Sequence, residues 1–226
     1  MKLFNSYFQT VLSVFILLIS VSQVVSGSNV CILKDSGPEN SMDHVKALSE
    51  AVAGSSVSFS YSYSALRGKG QISGNGSAIV QDQAYLIDVD GLKFFCNGST
   101  KWTVDYNSRE VVIEAAEGGE ADYYSNPVLL ILSADKIFER ESSENVSFNG
   151  SQALCVNLKP KTECGLEKVS LYFSVEYIIG ACAVALDGTE TSLEIKDFII
   201  KEKKDLSYFM FDDKSLDSSW IVTDLR

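Results

Sequence analysis

Apolar and polar residues alternate with a period of two along much of the chain. The clearest run is Val57–Ala65, where Val57, Phe59, Tyr61 and Tyr63 interleave with Ser58, Ser60, Ser62 and Ser64. That alternation predicts a strand with one apolar and one hydrated face. Further strands are expected at about 71–78, 84–89, 92–96, 101–104 and 109–115, separated by Gly and Asx turns. Asn97-Gly98 suits the positive φ of a tight hairpin, and Trp102 and Val104 share one face of the strand that follows it. The stretch 139–151 is polar and expected to be a mobile loop, after which the β pattern resumes at 153–158, 169–175, 178–186, 192–200 and 208–211. Short connections make an antiparallel meander the economical topology. The tail 212–226 is polar until Trp220-Ile221-Val222, which is expected to add an edge strand or to dock on the outer face.

Two segments follow a helical period instead. Pro38-Glu39-Asn40-Ser41 opens a helix through Ala53, with Met42, Val45, Leu48 and Val52 on one stripe and Gly54 as its stop. Asn126 and Pro127 suit the start of a second helix, short and very apolar, running to Leu132. The whole pattern is mainly β with helices (α+β), a curved sheet closed on one side by helices. Such a sheet either fills its concave face or keeps a cavity for an apolar ligand.

The first 26 residues are read as a cleaved signal peptide: Lys2 precedes the apolar run Val11–Ser20, and Val24-Val25-Ser26 places small residues before the cut. That leaves 27–226 as one domain. Cys31 lies just beyond the cut, but Val30 before it disfavours lipid attachment there. The net charge of −11 becomes −12 without Lys2, which argues against nucleic acid and anionic membrane surfaces as non-specific partners. Of the five cysteines, Cys155 and Cys164 are candidates for a disulfide, while Cys96 and Cys182 suit buried positions.

Signals for catalysis are poor. No nucleophile elbow, zinc motif or phosphate-cradling loop occurs. The single histidine, His44, falls on the first helix and reads as a surface residue. The acidic loop Glu117–Asp122 lacks the ligand spacing of a Ca²⁺ site. No catalytic residue, metal or cofactor is expected. Four Asn-x-Ser sequons, at Asn75, Asn97, Asn145 and Asn149, are also ordinary turn sequences.

The order helix, F-x-Y strand, G-x-G-x-I strand, hairpin, then Asn97-Gly98-Ser99-Thr100-Lys101-Trp102 resembles the periplasmic outer-membrane lipoprotein carriers of Gram-negative bacteria, the LolA-like family. Asn126–Leu132 resembles that family's apolar lid helix, Leu158-Lys159-Pro160-Lys161 its L-x-P-K strand end, and Phe209-Met210-Phe211 its late F-x-F strand. The resemblance implies an unclosed antiparallel β-barrel covered by the N-terminal helix and a lid at about 126–137. It implies a monomeric carrier that ferries lipoproteins across the periplasm by their acyl chains, loaded by an inner-membrane lipoprotein-releasing transporter and unloaded to an outer-membrane acceptor. The expected cavity residues are Val57, Phe59, Tyr61 and Tyr63, Trp102, and Leu129, Leu130 and Leu132 of the lid. One departure stands out: the family's lid-latching Arg-Pro pair has no counterpart in Gly74–Ala84, and Arg67, upstream in a turn, is no substitute. The alternatives are a membrane-anchored acceptor of the same fold and an exported hydrolase or glycan-binding β protein.

Overall fold

The computed structural model describes residues 41–116, 127–175 and 177–226. The signal segment, Cys31 and the loop 117–122 lie outside these. A first meander runs through β1 (Ser56–Arg67), β2 (Gly70–Gln81), β3 (Ala84–Val89), β4 (Leu92–Asn97), β5 (Thr100–Asp105) and β6 (Glu110–Ala115). A second contains β7 (Phe138–Phe148), β8 (Ser151–Pro160), β9 (Leu166–Phe173), β10 (Ile178–Ala185) and β11 (Glu190–Lys201). Antiparallel pairing of β11 with β1 joins the two into one sheet. The C-terminal strand β12 (Ile221–Asp224) pairs with β6 in parallel, the one exception to the meander among the described pairs. β7 and β12 end the strand order on opposite sides and do not pair. The expected unclosed β architecture is what forms.

The helices cover one face of this sheet. α1 (Ser41–Gly54) buries Val45, Leu48 and Val52, as its stripe predicts, together with Ser49. α2 (Pro127–Leu132) and α3 (Ala134–Ile137) complete the cover. They share the main core with inward residues of β1, β3, β8, β9 and β11. A second cluster, of Trp102, Val104, Val111 and Ile113, lies on the other face under Phe211, Leu216 and Trp220 of the C-terminal segment.

Three local expectations are corrected. The stretch 139–151 contributes most of β7 instead of a mobile loop. β7 is an edge strand, and its exposed Glu139, Arg140 and Glu141 give it the polar composition that protects an open edge from pairing with other chains. Tyr208–Phe211 is not a strand: a 3-10 turn spans Leu206–Phe209, capped by the Asp205 carboxylate accepting from the Ser207 N–H at 2.8 Å. Cys155 and Cys164 do not form a disulfide; both are free thiols. Cys155 opposes Glu144 on β7 and Tyr172 on β9. Cys164 sits in the turn beyond Pro160, which is five residues further along β8, or about 16 Å of strand. A disulfide requires Cα atoms within about 7 Å.

Burial pushes the Cys155 thiol up to about 11, with the nearby Glu144 adding to the effect. Burial likewise raises Cys182 to about 12, reinforced by Glu190. Both thiols therefore stay protonated in the folded chain while an unfolded thiol ionises near 9. The unfolded chain binds fewer protons above pH 9, so stability is intact below that value and falls as pH rises through 11 to 12. The midpoint of urea unfolding is expected to decline from pH 9 to 11, and this decline should shrink in a Cys155→Ala, Cys182→Ala double variant. An equal decline in that variant would assign the effect to other groups.

Candidate functional site

Val57, Phe59 and Tyr61 of β1 and Leu129, Leu130 and Leu132 of α2 come together in one cluster. Each is at most 6% exposed, so side chains fill the space between lid and sheet. Tyr63, half-buried, packs at the margin of the same cluster and donates its hydroxyl to the Asp90 carboxylate. Two glycines make room for these tyrosines. Tyr61 and Tyr63 stand opposite Gly76 and Gly74 of β2, and a Cβ there would fall 2.5 Å and 2.7 Å from their rings. The rings thus lie flat across the neighbouring strand, a direct use of glycine inside a strand. Burial, then the hydrogen bond to Asp90, pushes Tyr63 up to about 12. Burial also raises Tyr61, so both phenols remain neutral.

Trp102 does not join them. It pairs across β4–β5 with Phe95, whereas Phe94 and Cys96 point to the helix-covered face. Residues opposite one another share a face, which places Trp102 in the outer cluster.

Ser49 and Lys161 tie α2 and α3 in place. The single hydroxyl proton of Ser49 on α1 is shared between the Leu132 carbonyl, at 3.0 Å, and the Asp135 carboxylate. Lys161 donates its ammonium to the carbonyls of Asp135 and Lys136, both at 2.8 Å, and its backbone N–H to the Ile137 carbonyl at 3.0 Å. These bonds satisfy carbonyls at the C-terminal ends of two very short helices, which intrahelical bonding cannot do.

Among the described residues, open apolar space lies beside α1. A groove of about 250 Å³ runs between one face of α1 and the ends of β9, β10 and β11. His44, Ala47, Leu48 and Ala51 form the helical wall, and Phe173, Phe198 and Ile200 the sheet wall. The inward turn of Phe198 and Ile200 is not evident from period-two alternation, because β11 slips by one residue. Ser60 opposes Lys196, but Ser58 opposes Ile199. The extra residue is a β-bulge at Asp197, whose φ is +54°, and whose carboxylate accepts from the Ser60 hydroxyl at 2.8 Å. Upstream of the bulge Leu193 and Ile195 point inward; downstream the parity changes and Phe198 and Ile200 do so. His44 stands at the groove with its ring 5.5 Å from that of Phe173. Among the described residues no group of His, Cys, Asp and Glu is arranged to hold a metal.

No family model matches the chain, and no curated protein matches it in sequence. Solved structures do resemble it. An uncharacterized conserved protein from Thermus thermophilus aligns over 81% of this chain and 99% of its own, at 10% identity and a TM-score of 0.51. An outer membrane lipoprotein-sorting protein domain from Vibrio parahaemolyticus covers 73% of this chain and 94% of its own, with 10% identity and a TM-score of 0.41. A LolA superfamily protein from Nitrosomonas europaea covers 75% and 98%, with 9% identity and a TM-score of 0.38. The likeness is one of fold. The Thermus thermophilus protein shares the architecture across nearly its whole length, and LolA superfamily structures are among the chain's neighbours at low identity.

Proposed function

We propose that this chain is a periplasmic carrier of lipoproteins. It holds their acyl chains against the helix-covered face of the sheet and moves them from an inner-membrane lipoprotein-releasing transporter to an outer-membrane acceptor, with no chemical step. The observation that carries this reading is α2, whose residues Val128–Leu132 are all buried apolar side chains that share the main core with the apolar face of β1. Each acyl CH₂ hidden from water is worth about 0.8 kcal/mol, so unshielded chains would not cross an aqueous space. Leucine side chains and acyl chains are chemically alike, so a lid filling the empty site can yield to cargo with little net change in energy. The high negative charge keeps such a shuttle from adhering to anionic membranes.

Native mass spectrometry of protein from its own periplasm, with added tripalmitoyl lipopeptide, tests the reading. One lipopeptide per chain is expected. A chain that stays empty would mean that the space under α2 is simply core. The same spectrum gives the mature N-terminus, where a free end near Gly27 fits a soluble carrier and a diacylated Cys31 an anchored acceptor.

A further inference from the structure

We infer that the groove beside α1 is the seat of the chain's own Val30–Leu33, a short apolar segment that precedes α1 and straps back over it. The inference goes beyond the carrier reading and does not depend on it. Ala47 and Ala51 keep the helical wall from filling the space, and the bulge at Asp197 turns Phe198 and Ile200 into it. Tyr177 stacks on Phe198, 9° from parallel with centroids 6.4 Å apart. The rim is apolar and open, with Ile200 52% and Tyr177 43% exposed. Apolar surface left open in this way marks an interaction site.

The order of the sequence selects the occupant. Val30-Cys31-Ile32-Leu33 is the one run of four apolar residues between residue 27 and α1. Seven residues, Lys34–Asn40, separate it from Ser41. Their reach of at most about 25 Å covers the groove, whose helical wall begins at His44, in the first turn of α1. Gly37-Pro38 lies in the middle of that linker and is a chain-reversing pair, which returns Leu33 to the level of that first turn. The lengths agree as well. His44 to Ala51 advances about 10 Å along a helix axis, and four extended residues span about 13 Å. Attachment favours this segment over a free competitor. A short flexible linker holds it at an effective concentration in roughly the millimolar range, far above a second copy in dilute solution.

The test uses the mature chain with labelled Ile, Leu and Val methyl groups, read by NMR and amide hydrogen exchange. Methyl cross-peaks are expected from Ile32 or Leu33 to Ile200. The amides of 31–33 are expected to exchange at least about tenfold slower than those of an unstructured chain. Two variants leave the folded core alone, since one lies at an exposed helix position and the other before α1. Ala47→Phe fills the groove, and exchange at 31–33 is expected to return to the unstructured rate. Ile32→Asp combined with Leu33→Asp is expected to abolish the cross-peaks and shift the Ile200 methyl resonances. Exchange at the unstructured rate in the wild-type chain, or protection that survives Ala47→Phe, overturns the inference. Cross-peaks found only between differently labelled copies assign the groove to a second copy and overturn it too. So do Ile200 resonances that move on organic extraction while those of Ile32 and Leu33 stay still, which identify a bound apolar small molecule. None of these outcomes bears on lipopeptide binding under α2.

Discussion

Deleting residues 212–226 is expected to destabilise the chain by about 3–6 kcal/mol, on the basis of two large apolar side chains lost from contact. Leu216 and Trp220 cover Trp102, Val104, Val111 and Ile113, of which the last three are at most 1% exposed. The tail is also tied by hydrogen bonds, from Ile221 N–H to the Arg109 carbonyl and from Leu225 N–H to the Ile113 carbonyl, both at 2.9 Å. Its removal leaves the β6 edge open, a template for pairing with other chains. Equilibrium urea unfolding measures the loss, and light scattering the association. Fluorescence adds an independent check. The chain has two tryptophans, and both belong to this outer cluster. Truncation should leave Trp102 red-shifted, whereas lipopeptide added to the intact chain should leave tryptophan emission unchanged. A truncated chain with an unaltered midpoint and a blue Trp102 would show that the tail covers nothing of consequence.

Leu130→Asp should remove lipopeptide binding and cost at least about 3 kcal/mol of stability, combining a deleted core side chain with a buried polar group. Leu130 is 6% exposed inside the main core, where a carboxylate loses its hydration. The cost is bounded because α2 spans only Pro127–Leu132 and can leave the sheet without dismantling it. Urea unfolding followed by circular dichroism gives the stability, and native mass spectrometry the bound lipopeptide. A folded variant that binds normally would remove the lid from the carrier reading.

Much of the architecture was legible because it is encoded locally. Pleating sends successive side chains to opposite faces, so the Val57–Tyr63 alternation by itself defines the apolar face of β1. The three-and-four spacing of Val45, Leu48 and Val52 does the same for α1. Asn97 signals its turn because its carboxamide oxygen accepts from the N–H groups of Ser99 and Thr100, at 3.0 and 2.9 Å. Such features depend on neighbours a few residues away, and composition shows them.

The sequence by itself determined most of the strands, the antiparallel meander of neighbouring strands, the inward faces of α1 and β1, and the short apolar helix α2. Only the tertiary structure decided which face Trp102 takes, because alternation defines two faces but not which one the helices cover. It also decided that the polar stretch 139–151 is an edge strand, since burial of one edge and exposure of the other follow from strand order. The groove beside α1 belongs to this second class. Its sheet wall depends on a single added residue at Asp197, held by Ser60, 137 positions away in the chain. A register change of one residue reverses every side chain beyond it, and contact with a distant strand, not local sequence, sets where that reversal falls.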